Sequence, residues 1–212
     1  MKNPFSFSGI VEDPAFCNRK KELADLTGFI ENSQNVLLYS HRRFGKTSLI
    51  NKVFKKLKGF GVVYVDLYGT TGIEDFITEL FKGISAVEPK MDRLMKLIKE
   101  KISSLTINFS VDVYSGKPVA IPAFAPVDNK PSIDEVFTLL DSLSRKKKFA
   151  VAFDEFQEIS KYGEPAFEKQ LRKSIQRHKN ISYIFAGSQK HLLAAMFAES
   201  KRAFYKLATT YT

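Results

Sequence analysis

The sequence predicts an α/β domain built on a mainly parallel sheet, and three observations lead there. Apolar runs at residues 36–39, 62–67, 149–153 and 181–186 have the length of buried strands. Between them lie longer stretches whose apolar residues recur at helical spacing, the alternation of βαβ units with right-handed crossovers. The first run leads straight into Ser40-His-Arg-Arg-Phe-Gly-Lys-Thr-Ser48 and then a helix, the layout of a phosphate-binding loop.

The first helix is expected over residues 16–30, where Leu23, Leu26, Phe29 and Ile30 share a face and Asn18 stands in the capping position. Strand 36–39 and the loop follow, then a helix over 47–57. Gly59 and Gly61 turn the chain into strand 62–67, and a helix over 73–87 returns along the sheet. Residues 88–130 break the alternation. Met91, Leu94, Met95, Ile98 and Ile102 draw an apolar stripe on a helix, and residues 106–113 alternate polar and apolar as a half-buried strand does. Ser115-Gly116 signals a turn, and 119–121 reads as the returning strand of a hairpin. This is an inserted helix plus β-hairpin at the domain edge. The alternation resumes with Ser132 capping a helix through Leu143, strand 149–153, a helix over 165–178, strand 181–186 and a last helix over 191–199. Residues 1–212 thus form one domain with the insertion inside it.

Composition narrows the class. At 212 residues, 44% hydrophobic and 26% charged, the chain suits one globular domain with a sizeable core. Its apolar runs are far shorter than a membrane span, and the first residues lack the apolar region of a signal peptide. One cysteine, Cys17, excludes an internal disulfide framework and a multi-cysteine metal site. A cytoplasmic protein is expected. The net charge of +10 suits a nucleic-acid surface, and equally suits solvated helix faces and a phosphate site.

The chemistry lies in two segments. In the loop formed by Ser40, His41, Arg42, Arg43, Phe44, Gly45, Lys46, Thr47 and Ser48, Gly45 lets the backbone approach phosphate. Lys46 reaches the β- and γ-phosphates, and the Thr47 hydroxyl is placed to ligate Mg²⁺. The full G-x-x-x-x-G-K-[ST] pattern would put a glycine at position 40, where Ser40 must make the same turn with some strain. The second segment is Phe149-Ala-Val-Ala-Phe-Asp-Glu155, an apolar strand closed by two carboxylates. Asp154 is placed to hold the Mg²⁺ shell and Glu155 to polarise water for attack on the γ-phosphate. A plainer use of both acids would be to cap the next helix. The strand at 181–186 ends in Gly187-Ser188-Gln189, where Ser188, with Gln189 second, is placed to sense the γ-phosphate. An ordinary turn and cap would account for those residues equally well.

Four motifs in this order span nearly the whole chain: Phe16-Cys-Asn-Arg-Lys-Lys-Glu-Leu23, Tyr39-Ser-His-Arg-Arg-Phe-Gly-Lys-Thr-Ser48, Phe153-Asp-Glu-Phe-Gln157 and Ile184-Phe-Ala-Gly-Ser-Gln189. Together they resemble the archaeal-type ATPase family, an AAA+/STAND-like, origin-recognition-related branch of P-loop ATPases. The resemblance implies a three-layer sandwich with an ASCE-type sheet of order near 5-1-4-3-2. It also implies Asp154 on Mg²⁺, Glu155 as catalytic base, and Phe16 and Arg19 lying against adenine. Family members continue past residues 201–208 into a fifth strand, a helical lid and often a winged-helix or nuclease-like domain. This sequence stops at Thr212, so a missing or incomplete fifth strand and an absent lid are expected, with no second sensor arginine to assign. Arg202 occupies about the place of an arginine finger acting on a neighbouring subunit.

The leading expectation is a P-loop ATPase that hydrolyses MgATP to ADP and drives a conformational change in a partner. Ser40 and the expected lack of a lid leave open a switch with little turnover, and predict slow hydrolysis by the isolated chain. The charge leaves open a DNA-binding module regulated by nucleotide. A DNA, a protein or a second copy of the chain could be the partner; insertion into a membrane is not expected.

Overall fold

A computed structural model describes residues 19–40, 44–87, 96–98, 100 and 133–211, together with the backbone of 105–111 and 118–124. In chain order the elements are α1 (Lys20–Glu31), β1 (Val36–Tyr39), α2 (Lys46–Lys56), β2 (Gly61–Asp66), α3 (Ile73–Val87), β3 (Leu105–Val111) and β4 (Pro118–Phe124). There follow α4 (Ile133–Ser144), β5 (Phe149–Asp154), a 3₁₀ helix (Phe156–Tyr162), α5 (Pro165–Arg177), β6 (Ile181–Gly187), α6 (Lys190–Ala198) and β7 (Thr209–Tyr211).

Five strands form a parallel sheet in the order β2-β5-β6-β1-β7. Numbered along the chain with the hairpin strands set aside, that is the expected 5-1-4-3-2. The fifth strand is present but short: Thr209 to Tyr211 pair with Val36 to Leu38 along the β1 edge. Tyr211 anchors it, donating its hydroxyl to Asp25 Oδ2 at 2.8 Å and meeting the Phe29 ring edge-on.

Period-2 alternation divides the strand side chains between two cores. On one face Val36, Leu38, Ala150, Ala152, Ile184 and Ala186 pack under Leu49, Ile50 and Val53 of α2 and Leu23, Leu26 and Ile30 of α1. The small alanines let α2 approach the sheet closely. On the opposite face the same strands present Leu37, Val151, Phe153, Tyr183 and Phe185 to α3, α4, α5 and the 3₁₀ helix. There Phe156 sits among Phe153, Phe185, Phe197 and Phe204 with ring centroids 4.7–5.9 Å apart. Helix, sheet and helix make the three layers.

The inserted hairpin is antiparallel, Leu105 opposite Phe124 through Val111 opposite Pro118, and β4 runs beside α3. Residues 96–98 and 100 are helical, and Ile98 is buried. The other stripe residues (Met91, Leu94, Met95 and Ile102), the 115–116 turn, the Asn18 and Ser132 caps and Cys17 lie outside the described residues. Arg19, not Asn18, holds the N-cap position of α1. No described helix is long and apolar enough to cross a membrane.

Candidate functional site

β1 delivers the chain to the phosphate-loop segment and α2 leaves it. Gly45, at the N-cap of α2, has φ +70°, a left-handed conformation that glycine adopts at no steric cost. It offers no capping side chain, which suits an anion at the helix N-terminus. Lys46 is buried, and its Nζ donates to the Ser40 carbonyl at 3.1 Å, so the cation is folded back over the loop. Ser40 Oγ is buried without a hydrogen-bond partner among the described residues. Arg19 Nη1 donates to the Phe44 carbonyl at 2.9 Å while its Nε donates to Glu22. The first motif therefore braces the loop before α2, beside Phe44, which is 64% exposed. Phe16, His41, Arg42 and Arg43 lie outside the described residues.

The two carboxylates at the end of β5 are used differently. Asp154 is buried, and its Oδ2 accepts from the Thr47 hydroxyl at 2.7 Å and from the Tyr64 hydroxyl at 2.6 Å. A hydroxyl and a carboxylate side by side are the hard oxygen donors that magnesium prefers. Thr47 and Asp154 thus fit that ion. Burial, with the neighbouring Asp154 charge, raises the Tyr64 hydroxyl far above its usual pKa, so it stays a donor. Asp66 lies opposite Asp154 in the strand register; burial raises its pKa, although the Tyr68 N–H donates to it.

Glu155 has φ +50°, a left-handed conformation costing roughly 1–2 kcal/mol in a residue with a Cβ. It holds the N-cap position of the 3₁₀ helix without a side-chain cap bond, which disposes of the simple capping role. Its carboxylate is turned toward β6 instead. Oε2 accepts from the Ser188 hydroxyl at 2.8 Å, from the Ser188 N–H at 3.4 Å and from Gln157 Nε2. Burial opposes the charge, but the donors Gln157 and Ser188, aided by Lys46, more than offset it and hold Glu155 below the usual carboxylate range. The Thr47–Asp154 hydrogen bond joins the two halves of the site.

Ser188 thus stands where the sequence placed it, with its hydroxyl on Glu155. Gln189 caps α6 by position alone, without a side-chain cap bond. Arg202 is engaged elsewhere: its Nη2 lies 3.5 Å from Glu168 Oε1, beside a cavity of about 410 Å³ between the 3₁₀ helix, α5 and α6. A finger role toward a neighbouring subunit would have to release that ion pair. Sequence reasoning missed Tyr64 and Gln157. Tyr64 looks like any residue of an apolar strand, and only the β2–β5 pairing brings its hydroxyl to Asp154. Gln157 carried a signal, a polar residue two places after the acidic pair, and it is fully buried.

Residues 16–205 match a family described as an ATPase domain predominantly from Archaea. No curated protein matches the chain. Among solved structures it is similar to a Walker-type ATPase of Pyrococcus abyssi, with 20% identity and a TM-score of 0.63 over 98% of this chain and 56% of that one. Cdc6p of Pyrobaculum aerophilum is similar at 14% identity and TM-score 0.56, over 99% and 48% of the two chains. The ORC1 protein of Aeropyrum pernix in complex with DNA is similar at 18% and 0.52, over 92% and 46%. At such identities the likeness shows the fold, and the chain spans about half the length of each.

Proposed function

The chain belongs to this predominantly archaeal ATPase domain family, and on that footing we propose that it binds MgATP and hydrolyses the γ-phosphate. The observation that carries the proposal is the convergence of Lys46 and Thr47, at the start of α2, with Asp154 and Glu155, at the end of β5, on one end of the parallel sheet. The N-terminus of α2 and Lys46 would take the β- and γ-phosphates, with Lys46 exchanging the Ser40 carbonyl for phosphate oxygens. Magnesium, held by Thr47 and Asp154, would neutralise phosphate charge when bound. Tyr64 keeps Asp154 in place and Arg19 steadies the loop through Phe44. Glu155 is ionised and able to accept a proton from the attacking water. Ser188 aligns it and senses the γ-phosphate by turning its one O–H from Glu155 to the phosphate. Hydrolysis drives a conformational change in a partner, in the cytoplasm, and Arg202 acts on a neighbour's nucleotide if copies assemble.

Ser40, in the place of the motif's first glycine, favours a second reading, a nucleotide switch with little turnover. Against it, Ser188 and Gln157 both donate to Glu155 Oε2, which leaves Oε1 to meet water. Phosphate release by the wild type and Glu155→Gln tests both. The ATPase reading expects turnover in the wild type and a loss of at least about 100-fold in the variant, at unchanged ATP affinity. Tight binding with equal, negligible release by both favours the switch. Equal, substantial release overturns Glu155 as base.

A further inference from the structure

In a parallel sheet with crossover connections, loops that enter strands lie at one pole and loops that leave them lie at the other. The leaving ends of β1, β5 and β6 carry the nucleotide site. The entering ends of β2, β5 and β6 gather basic residues far apart in sequence. Lys58 precedes β2, the run Arg145-Lys-Lys-Lys148 precedes β5, and Lys179 precedes β6, all exposed. These three strands are neighbours, and their loops are tied together by backbone bonds. The Gly61 N–H donates to the Lys148 carbonyl and the Phe149 N–H to the Asn180 carbonyl, both at 2.9 Å. Lys148 Nζ also reaches the Glu31 carbonyl at the end of α1, at 2.8 Å.

Among the described residues few acids offset this charge. Asp141 lies 3.9 Å from Arg145, Glu31 is exposed beside Lys148, and the loop entering β1, residues 32–35, is uncharged. Helix dipoles account for Lys55 and Lys56, in the last turn of α2. That effect fades within a turn and does not explain Lys146, Lys147 or Lys179, which lie in loops beyond the helix ends.

We propose that this pole binds the phosphate backbone of double-stranded nucleic acid, without regard to sequence. Among the described residues the exposed large hydrophobics are Phe44, Tyr68 and Leu192, and none belongs to these loops. Among the described residues the pole has no exposed apolar wedge for a bilayer, no exposed aromatic platform for unpaired bases and no anchor for the centre of a protein interface. It has hydrated point charges, which suit phosphates met from several loops. Three adjacent strands span about 10 Å, and outward-reaching lysines extend that to the scale of a groove about 12 Å wide. The site is separate from the nucleotide loop and does not require ATP hydrolysis.

Fluorescence anisotropy of the full chain with a labelled random-sequence DNA duplex, titrated against salt, tests the proposal. The variant carries Lys58→Glu, Lys146→Glu and Lys179→Glu. The control carries Lys21→Glu, Lys169→Glu and Lys201→Glu, an equal charge change at exposed residues outside these loops. The pole variant should lose at least about tenfold in affinity, and its log–log salt slope should fall by about 3, one per lost phosphate contact. The control should keep the wild-type slope, and both should keep the wild-type melting temperature and MgATP affinity. Equal losses in the two variants would reduce the effect to net charge and overturn the proposal. So would absence of salt-dependent duplex binding, or capture by phosphatidylserine vesicles without duplex binding.

Discussion

Replacing Gln157 with leucine should slow ATP hydrolysis without loosening ATP binding. The side chain is fully buried; Nε2 donates to Glu155 Oε2, while Oε1 has no hydrogen-bond partner among the described residues. Leucine occupies similar space and removes both the useful donor and the unsatisfied acceptor. These effects oppose each other, so stability should change by no more than about 1 kcal/mol. Glu155 is affected differently. Burial works against its charge, and Gln157 and Ser188 are the donors that hold it below the usual carboxylate range. A hydrogen bond to a charged group contributes about 1.5–3 kcal/mol, and the half-exposed position of Glu155 reduces that to about 1–2 kcal/mol. If that free energy positions the base in the transition state, kcat falls by about 5- to 30-fold. With one donor gone, the pKa of the base rises, so the acid limb of the kcat–pH profile moves to higher pH. Phosphate release at saturating MgATP across pH gives both quantities, and calorimetry gives the affinity. An unchanged kcat and acid limb, or affinity lost in step with turnover, would refute the idea that Gln157 positions Glu155.

Gly187→Ala should reach the same residue from β6. A Cβ there would overlap Gln157 Oε1 and stand 2.8 Å from Leu193 Cδ1. The variant should therefore repeat the kinetic effect of Gln157→Leu and lose a further 1–3 kcal/mol, roughly, of stability in a denaturant titration; normal turnover would break the link. His178 makes fold stability depend on pH. It packs against both Phe137 and Tyr183, its ring nitrogens meet the Tyr183 hydroxyl and the Phe137 carbonyl, and burial lowers its pKa against the opposing pull of Asp141. Since the folded pKa lies below the unfolded value of about 6.5, the unfolded chain binds more protons between the two. Stability is full above about pH 6.5 and is lost as pH falls through the folded pKa. Melting temperatures should drop over that window in the wild type and drop less in His178→Gln; parallel curves would assign the dependence to other groups.

The central strands were legible because both faces are covered, which makes each an unbroken apolar run. β5 and β6 are buried at every position. β7 was not legible: Thr209, Thr210 and Tyr211 form no apolar run, and two of the three are exposed at the sheet edge. Their β-branched and aromatic character was the available signal. The 3₁₀ helix after Glu155 was missed because its seven residues, wound three to a turn, leave no 3.6-residue period to read. In the candidate site, the positions of Lys46 and Thr47 at a helix start and of Asp154 and Glu155 at a strand end were legible because the apolar runs beside them mark those ends. The hydroxyl of Tyr64, the amide of Gln157 and the Arg202–Glu168 pair depend on neighbours distant in sequence or on local backbone turns, and no spacing rule reports them.

The most direct test of the central claim is calorimetric titration of MgATP into the wild type and Lys46→Ala. Lys46 is buried at the start of α2, with its ammonium on the Ser40 carbonyl, and under the proposed function it exchanges that carbonyl for phosphate oxygens. Wild-type protein should bind MgATP, and the variant, keeping its melting temperature, should bind at least about 100-fold more weakly, two charge-assisted hydrogen bonds being lost. Equal affinity in the two proteins, or no binding by a folded wild type, would contradict the assignment of this loop as the phosphate site.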